Sequence, residues 1–226
     1  GEYNMVKSIL VRFSFVLALL LSVNKLTAAD TTYVAWSQVP GAWESFIMGD
    51  TASNGWQNAD VYVLEANKVY LQLSEVNMNS SMELVGADYG DGEHPATVQP
   101  IAGDDGNLQF TGWPQNHVKT HGHSQTYALK NILFNGVAAG QTASLFGVLS
   151  TYGENNTVVV DHVTSVHHNI ISYFNFGTAQ RLHVTNCTAV QFTSYGGGMW
   201  WGGFLWGGGG GWTGTCLLYT SDAADE

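Results

Sequence analysis

The chain is short of basic residues, cysteine and proline, and each shortage excludes a class of protein. Its 226 residues include seven Lys and Arg against 18 Asp and Glu, a formal net charge of −11. Binding to nucleic acid or to anionic membranes depends on clustered basic side chains. We therefore expect neither as a partner, and the acidity instead favours solubility, salt tolerance or divalent cations.

The chain has only two cysteines and four prolines. One of the cysteines, Cys216, falls in a segment that we discount below, so no disulfide framework is expected and stability must come from a packed core. Cys187 is interpreted as a small buried apolar residue. Proline removes a ladder hydrogen bond, and its rarity in strand-like segments favours an all-β fold.

Residues 1–29 are interpreted as upstream residues followed by a secretory signal peptide. Lys7 and Arg12 precede an apolar run at residues 13–23 and the small residues Ala28 and Ala29, which is the usual order of such a peptide. The run is too short to span a bilayer. We expect a secreted, periplasmic or cell-surface protein with no transmembrane segment beyond the signal peptide.

Residues 196–226 are interpreted as a low-quality tail. Residues 216–225, CLLYTSDAAD, have the sequence of a translated sequencing adapter, and a Gly- and Trp-rich stretch precedes them. A glycine-rich loop with stacked aromatic residues is the alternative for that stretch. On the first interpretation the natural chain continues beyond residue 226.

One short pattern occurs three times between these ends, as LKNI at 129–132, VDHV at 160–163 and VTNC at 184–187. Short β-rich segments that recur with a polar residue at a fixed place are typical of a parallel β-solenoid. We predict that Asn131, His162 and Asn186 stack as a ladder at a turn, with Asn186 buried in it.

The spacing of apolar residues predicts where the coils begin. The residues proposed to share one column are Leu84, Leu108, Leu129, Val160 and Val184. The coil from Leu129 to Val160 is then the longest, and residues 138–154 are expected to protrude from it. Residues 30–59 have no clean period and are predicted to form an N-terminal cap, because the end of a solenoid needs covering.

Two segments carry a resemblance to a known family. The stretches VYVLEANKVYLQLSEV, from Val61, and MELVGADYGDGEHPATVQP, ending at Pro100, resemble the opening coils of pectin-lyase-like β-helix proteins. The resemblance covers residues 60–193 and implies an all-β, right-handed parallel β-helix at 60–195, truncated at its C-terminus. Because this fold hosts many activities, and also proteins with none, it leaves the function open.

The resemblance also implies a candidate catalytic pair. Polysaccharide lyases of this fold use Lys or Arg as a base, while a cation neutralises the uronate carboxylate. Lys130 and Arg181 are the candidates here, because both are expected on an outer sheet face. The alternative is that both only make the surface more soluble.

Two acidic, glycine-containing loops are candidate calcium sites. The first offers Asp88, Asp91 and Glu93, and the second offers Asp104 and Asp105. Ordinary turns would use the same residues, so calcium and plain turns both remain open.

The histidines are interpreted as solvent-exposed residues of loops and bends. His117, His121 and His123 fall in the polar segment NHVKTHGHS, where no strand or helix is expected to fix their geometry. Three imidazoles in seven residues could also bind zinc or copper, which is the alternative. His167 and His168 are expected at a solvated bend.

Three functions fit these observations. The leading hypothesis is a monomeric, non-catalytic protein that binds extracellular polysaccharide along a solenoid face. The alternatives are a lyase that acts on uronate glycans by β-elimination, and a structural module of a larger adhesin.

Overall fold

Within the described residues the chain forms 17 β-strands and one α-helix. The computed structural model describes residues 29–102, 107–108, 110, 115–138, 145 and 147–168, and then 170–175, 181–190, 205–208 and 215–219. The predicted signal peptide therefore lies almost wholly outside the described residues, as does most of the segment 196–226.

The strands, numbered in chain order, form three sheets in which all neighbouring strands are parallel. Sheet 1 has the spatial order β1 (Thr31–Val34), β2 (Val61–Leu64), β5 (Met82–Gly86), β8 (Thr126–Lys130), β11 (Thr157–Asp161), β14 (Arg181–Thr185) and β17 (Thr215–Tyr219). Sheet 2 has the order β3 (Val69–Gln72), β6 (Ala96–Pro100), β9 (Ile132–Asn135), β12 (Thr164–Val166) and β15 (Thr188–Val190). Sheet 3 has the order β4 (Val76–Met78), β7 (Asn116–Thr120), β10 (Gly147–Thr151), β13 (Ile170–Asn175) and β16 (Leu205–Gly208).

From β2 onward the chain passes through sheets 1, 2 and 3 in turn, and we call each such passage a circuit. Circuit 1 is β2–β4, circuit 2 is β5–β7, circuit 3 is β8–β10, circuit 4 is β11–β13 and circuit 5 is β14–β16. Each circuit therefore adds one strand to every sheet. This all-β arrangement of stacked parallel strands is consistent with a parallel β-helix.

Alternating side chains fill the space between the sheets. In sheet 1 the strand register places five buried residues in one column: Tyr62, Leu84, Leu129, Val160 and Val184. In sheet 2 a second buried column contains Tyr70, Val98 and Phe134. The period-two pattern read from the sequence thus identifies the inward face of most circuits.

Leu108 is not part of the first column, so the predicted coil spacing was wrong at that point. Leu84 pairs directly with Leu129, and Leu108 instead makes an isolated antiparallel bridge to Ala102. The cause is a long connection between β6 and β7, residues 101–115, which contributes apolar residues of its own. Apolar spacing alone does not distinguish a strand residue from an apolar residue in a loop.

The second long connection, between β9 and β10, falls partly where it was predicted. It spans residues 136–146, whereas the prediction placed the protruding residues at 138–154. The difference arises because β10 (Gly147–Thr151) takes part in sheet 3, and all five of its residues are buried.

Residues 31–49, within the predicted cap, form β1 and the helix α1 (Ala42–Gly49). The helix lies against β1, β3 and β4, of which β3 and β4 are the terminal strands of sheets 2 and 3. The buried carboxylate of Glu44 accepts hydrogen bonds from the backbone N–H groups of Leu73, at 2.6 Å, and Ser74, at 3.2 Å. Burial raises the pKa of Glu44, although these hydrogen bonds oppose the shift.

Glycine is required at the end of β5 for the circuits to stack. A Cβ on Gly86 would lie 2.1 Å from the backbone oxygen of Asn131 in the next circuit. Because that neighbour is backbone, a side-chain rotation cannot relieve the clash.

We therefore predict that Gly86→Ala lowers the free energy of unfolding by about 3 kcal/mol, as overpacking against a rigid neighbour does. Urea unfolding of the purified protein measures the change. Gly90→Ala is the matched control, because its Cβ would meet only the Glu93 carboxylate, at 3.7 Å. Equal effects of the two substitutions would contradict the stacking described here.

Candidate functional site

Three bends of sheet 1 repeat the same backbone conformation. Asn131, His162 and Asn186 follow β8, β11 and β14, and all three have left-handed φ values, of 58°, 51° and 52°. The backbone N–H of Asn131 donates to the backbone carbonyl of Asp161, at 3.0 Å. The backbone N–H of His162 donates to the backbone carbonyl of Thr185, at 3.1 Å. The bends of circuits 3, 4 and 5 are therefore joined through backbone hydrogen bonds.

The Asn131 and Asn186 side chains donate hydrogen bonds to groups outside the three bend residues. The Asn131 amide donates to the carbonyl oxygens of Gly86, at 3.1 Å, and Ala87, at 3.2 Å. The Asn186 amide donates to Asp161 Oδ1, at 3.1 Å. Asn186 is exposed, so the expectation that it is buried was wrong.

Asp161 is the acceptor that connects two of the bends. Its Oδ1 accepts hydrogen bonds from Thr185 Oγ1 and Asn186 Nδ2, and His162 Nδ1 lies 3.1 Å from it. Partial burial acts to raise the pKa of Asp161, but these three hydrogen bonds together outweigh burial and lower it. The carboxylate therefore stays charged and keeps its neighbours in place.

A cavity of about 290 Å³ opens beside these bends. It is lined by Val85, Asp88, Lys130, Asn131, Asp161 and His162. The lining residues come from circuits 2, 3 and 4, so stacking alone brings them together. We take this cavity, which we call the bend cavity, as the candidate functional site.

Of the two predicted bases, only Lys130 lies at the bend cavity. Its Nζ is 2.7 Å from Glu83 Oε2, in an ion pair that is about one-third exposed, with side-chain exposures of 35% and 38%. Arg181 begins β14 and pairs with Thr157, which begins β11, whereas Lys130 pairs with Asp161, which ends β11. Two strand spacings and four residues along the strands put the two Cα atoms roughly 16 Å apart.

The predicted calcium ligands are only partly described. Asp88 lines the bend cavity, and Glu93 folds back so that its Oε2 accepts the Gly90 N–H at 2.7 Å. Asp91 is exposed in the same loop, and Asp104 and Asp105 lie outside the described residues. In the part of the chain that the structure describes, no three potential ligands converge as a metal site. Calcium at the first loop stays a prediction.

Two polar clusters that involve β7 were not predicted from the sequence, because this segment was interpreted as part of a polar loop. His117 is fully buried and contacts His168, and Lys119 forms a buried ion pair with Glu75 at 2.9 Å. The solvated bend predicted at His168 was therefore wrong, since only 1% of that residue is exposed. The segment Asn116–Thr120 has four polar residues and a single Val, and all five are buried, so period-two alternation could not mark it as a strand.

Comparisons with protein-family models, with curated proteins and with solved structures found no match to this chain. The class of protein is therefore defined by the fold alone, an all-β chain of stacked parallel sheets. No helix of the described residues has the length and apolar character needed to cross a membrane.

The left-handed bend at His162 yields a testable substitution pair. Asn tolerates this conformation, as it does at the neighbouring bends, whereas a β-branched residue is strained by about 1–3 kcal/mol. We predict that His162→Asn changes the free energy of unfolding by less than about 0.5 kcal/mol and that His162→Val lowers it by about 2 kcal/mol. Urea unfolding at pH 7 compares them, and equal stabilities would contradict the stacked left-handed bends.

Proposed function

We propose that the chain is an exported right-handed parallel β-helix protein of the pectin-lyase-like type that binds polysaccharide without cleaving it. The regular passage through three parallel sheets supports this type, and α1 with β1 would be its N-terminal cap. Stacked circuits suit an extended ligand, because they offer a rigid surface that is long in one direction.

The bend cavity is the observation that carries this proposal. Its volume of about 290 Å³ lies near the lower limit of small-molecule sites, about 300–1,000 Å³. A space of that size accepts one sugar ring and leaves the rest of a glycan on the open sheet face. Its carboxylate, amide and imidazole groups are the hydrogen-bonding partners that sugar hydroxyls need.

The charge of the cavity favours a neutral glycan. Asp88 and Asp161 contribute two carboxylates, and the one lysine is already paired with Glu83. A uronate chain would bring further negative charge to a protein whose net charge is −11. Hydroxyl-rich neutral chains escape that repulsion.

A polysaccharide lyase is the alternative, because Lys130 lines the cavity beside Asp88. That chemistry needs a base and a second cationic group near one substrate carboxylate. The Cα atoms of Arg181 and Lys130 are roughly 16 Å apart by strand spacing, a separation that disfavours Arg181 as the second group. The geometry of the described residues thus favours binding over elimination.

The binding test compares two carboxylates of one loop. We predict that Asp88→Asn weakens binding of a neutral β-linked glucan or mannan about tenfold, since hydrogen bonds to charged groups contribute about 1.5–3 kcal/mol. Asp91→Asn is the matched control, because Asp91 is exposed in the same loop but does not line the cavity. Isothermal titration calorimetry at pH 7 measures both affinities.

The same protein is incubated with alginate, pectate and chondroitin while the absorbance of unsaturated products is followed. We expect no increase. Product formation would overturn the non-catalytic proposal in favour of the lyase. Absence of any glycan binding, or equal losses in the two variants, would remove the bend cavity as the site.

A further inference from the structure

A second group of polar residues lies inside the protein, where sheets 2 and 3 meet. Gln72 ends β3, His117 lies in β7, Ser165 lies in β12, and His168 follows β12. None of the four is more than 1% exposed. They come from circuits 1, 2 and 4, so any bond between them ties distant parts of the stack together.

Hydrogen bonds join these four side chains in one line. Gln72 Oε1 contacts His117 Nδ1, His117 Nε2 is 2.9 Å from His168 Nε2, and His168 Nδ1 is 2.9 Å from Ser165 Oγ. The line ends at Gln72, whose amide nitrogen donates to the backbone carbonyls of Ser74, at 2.8 Å, and His117, at 2.9 Å.

These contacts fix every proton in the line. Carbonyl oxygens only accept, so the Gln72 NH₂ must face the two carbonyls and its Oε1 must accept from His117 Nδ1–H. A neutral His117 then has a bare Nε2, which accepts from His168 Nε2–H. His168 Nδ1 is bare in turn and accepts the Ser165 hydroxyl proton. Donation therefore runs in one direction, from Ser165 to Gln72.

Circuit 3 leaves room for the two imidazoles to meet. His117 and His168 belong to circuits two strand spacings apart, about 9.6 Å. Between them lies Gly136, where a Cβ would come within 2.7 Å of His168 Cδ2 and 2.6 Å of the His167 backbone oxygen. The glycine thus lets side chains of circuits 2 and 4 bond across the circuit that separates them.

The line is built for neutral imidazoles. A proton added to His117 Nε2 would set two N–H donors against each other, because His168 Nε2–H already points at that atom. At His168 Nδ1 the Ser165 hydroxyl can turn to accept, so there burial alone opposes the added charge. Burial, as the largest cause, lowers the pKa of His117 well below its ordinary range and lowers that of His168 to about 3.

Among the residues that the structure describes, the groups that face the two rings do not supply a counter-charge. From β3 comes the Gln72 amide, from β9 come the Phe134 ring, with centroids 5.0 Å apart, and the backbone of Asn135. The neighbouring titratable group is His167, whose Nδ1 lies 3.0 Å from Asn135 Oδ1. Lys119, two residues from His117, is in an ion pair with Glu75.

We propose that Gln72, His117, His168 and Ser165 form an acid-sensitive latch that holds circuits 1, 2 and 4 together at neutral pH and opens when its imidazoles are protonated. The direction follows from linkage. The unfolded histidines take up protons near pH 6.5, whereas the folded ones resist, so the stabilisation is present above that pH and is lost as the pH falls.

The first test reads the proton positions directly. Two-bond ¹H–¹⁵N NMR spectra of the full chain at pH 7 should show the proton on Nδ1 in His117 and on Nε2 in His168, with both signals unchanged down to pH 5. The opposite tautomer in either ring, or titration of either ring near pH 6.5, would overturn the latch. This outcome does not depend on any variant folding.

The second test measures urea unfolding between pH 6 and pH 5. Each buried neutral histidine makes the folding equilibrium constant fall up to about tenfold per pH unit, so the pair gives up to about a hundredfold. His168→Gln should remove about one factor of ten from that fall, and His94→Gln, at an exposed residue, should leave it unchanged. An unaltered pH dependence in the His168 variant would contradict the proposal.

Discussion

The three sheets, and the sites between their strands, depend on parallel backbone pairing between successive circuits. Each strand of sheet 1 pairs in register with the strand of the next circuit, and the N–H groups at the bends donate to the following circuit as well. Parallel pairing requires each circuit to turn at the same place. The left-handed conformations of Asn131, His162 and Asn186 meet that requirement at one corner.

Close stacking also decides which side chains are allowed. Gly86 and Gly136 lie where the neighbouring circuit approaches to within contact of the backbone, so no Cβ fits at either residue. At Gly86 the space is taken by the Asn131 backbone, and at Gly136 it is taken by the His167 backbone oxygen and the His168 ring. The same constraint therefore shapes the wall of the bend cavity and the interior line of histidines.

Two lysines form ion pairs with carboxylates of neighbouring circuits. Lys119 pairs with Glu75 from circuit 1, and Lys130 pairs with Glu83 from circuit 2. The first pair is buried, so removal of one partner would leave an uncompensated charge, a change that costs about 3–5 kcal/mol. The second pair is partly exposed and contributes less than about 1 kcal/mol, because solvent screens it. Both ion pairs therefore connect neighbouring circuits.

Much of the fold could be predicted from the sequence, because period-two alternation and the repeated Asn or His are local signals. They gave the stacked parallel strands of sheet 1 and the equivalence of Leu129, Val160 and Val184. Leu108 was misplaced because apolar spacing does not distinguish an apolar loop residue from a strand residue. The bonds of His117 and His168 could not be predicted, since they join residues 51 apart through an intervening circuit.

The sequence predicted Lys130 as a base, Asp88 as a calcium ligand, and Asn131 and His162 together as part of a ladder. The structure brings all four to one cavity. Their convergence needed the correct register, which a one-residue shift would have destroyed. Arg181 was placed with Lys130 on face direction alone. Distance along the strand, which alternation does not report, separates them.

The most direct test of the stacked parallel register is a nuclear Overhauser spectrum of the isotope-labelled protein. The account predicts contacts that link the amide of Leu129 to backbone protons of both Leu84 and Val160 in parallel geometry. Close Hα–Hα contacts between these strands, which antiparallel pairing produces, or pairing of Leu129 with Leu108, would contradict it.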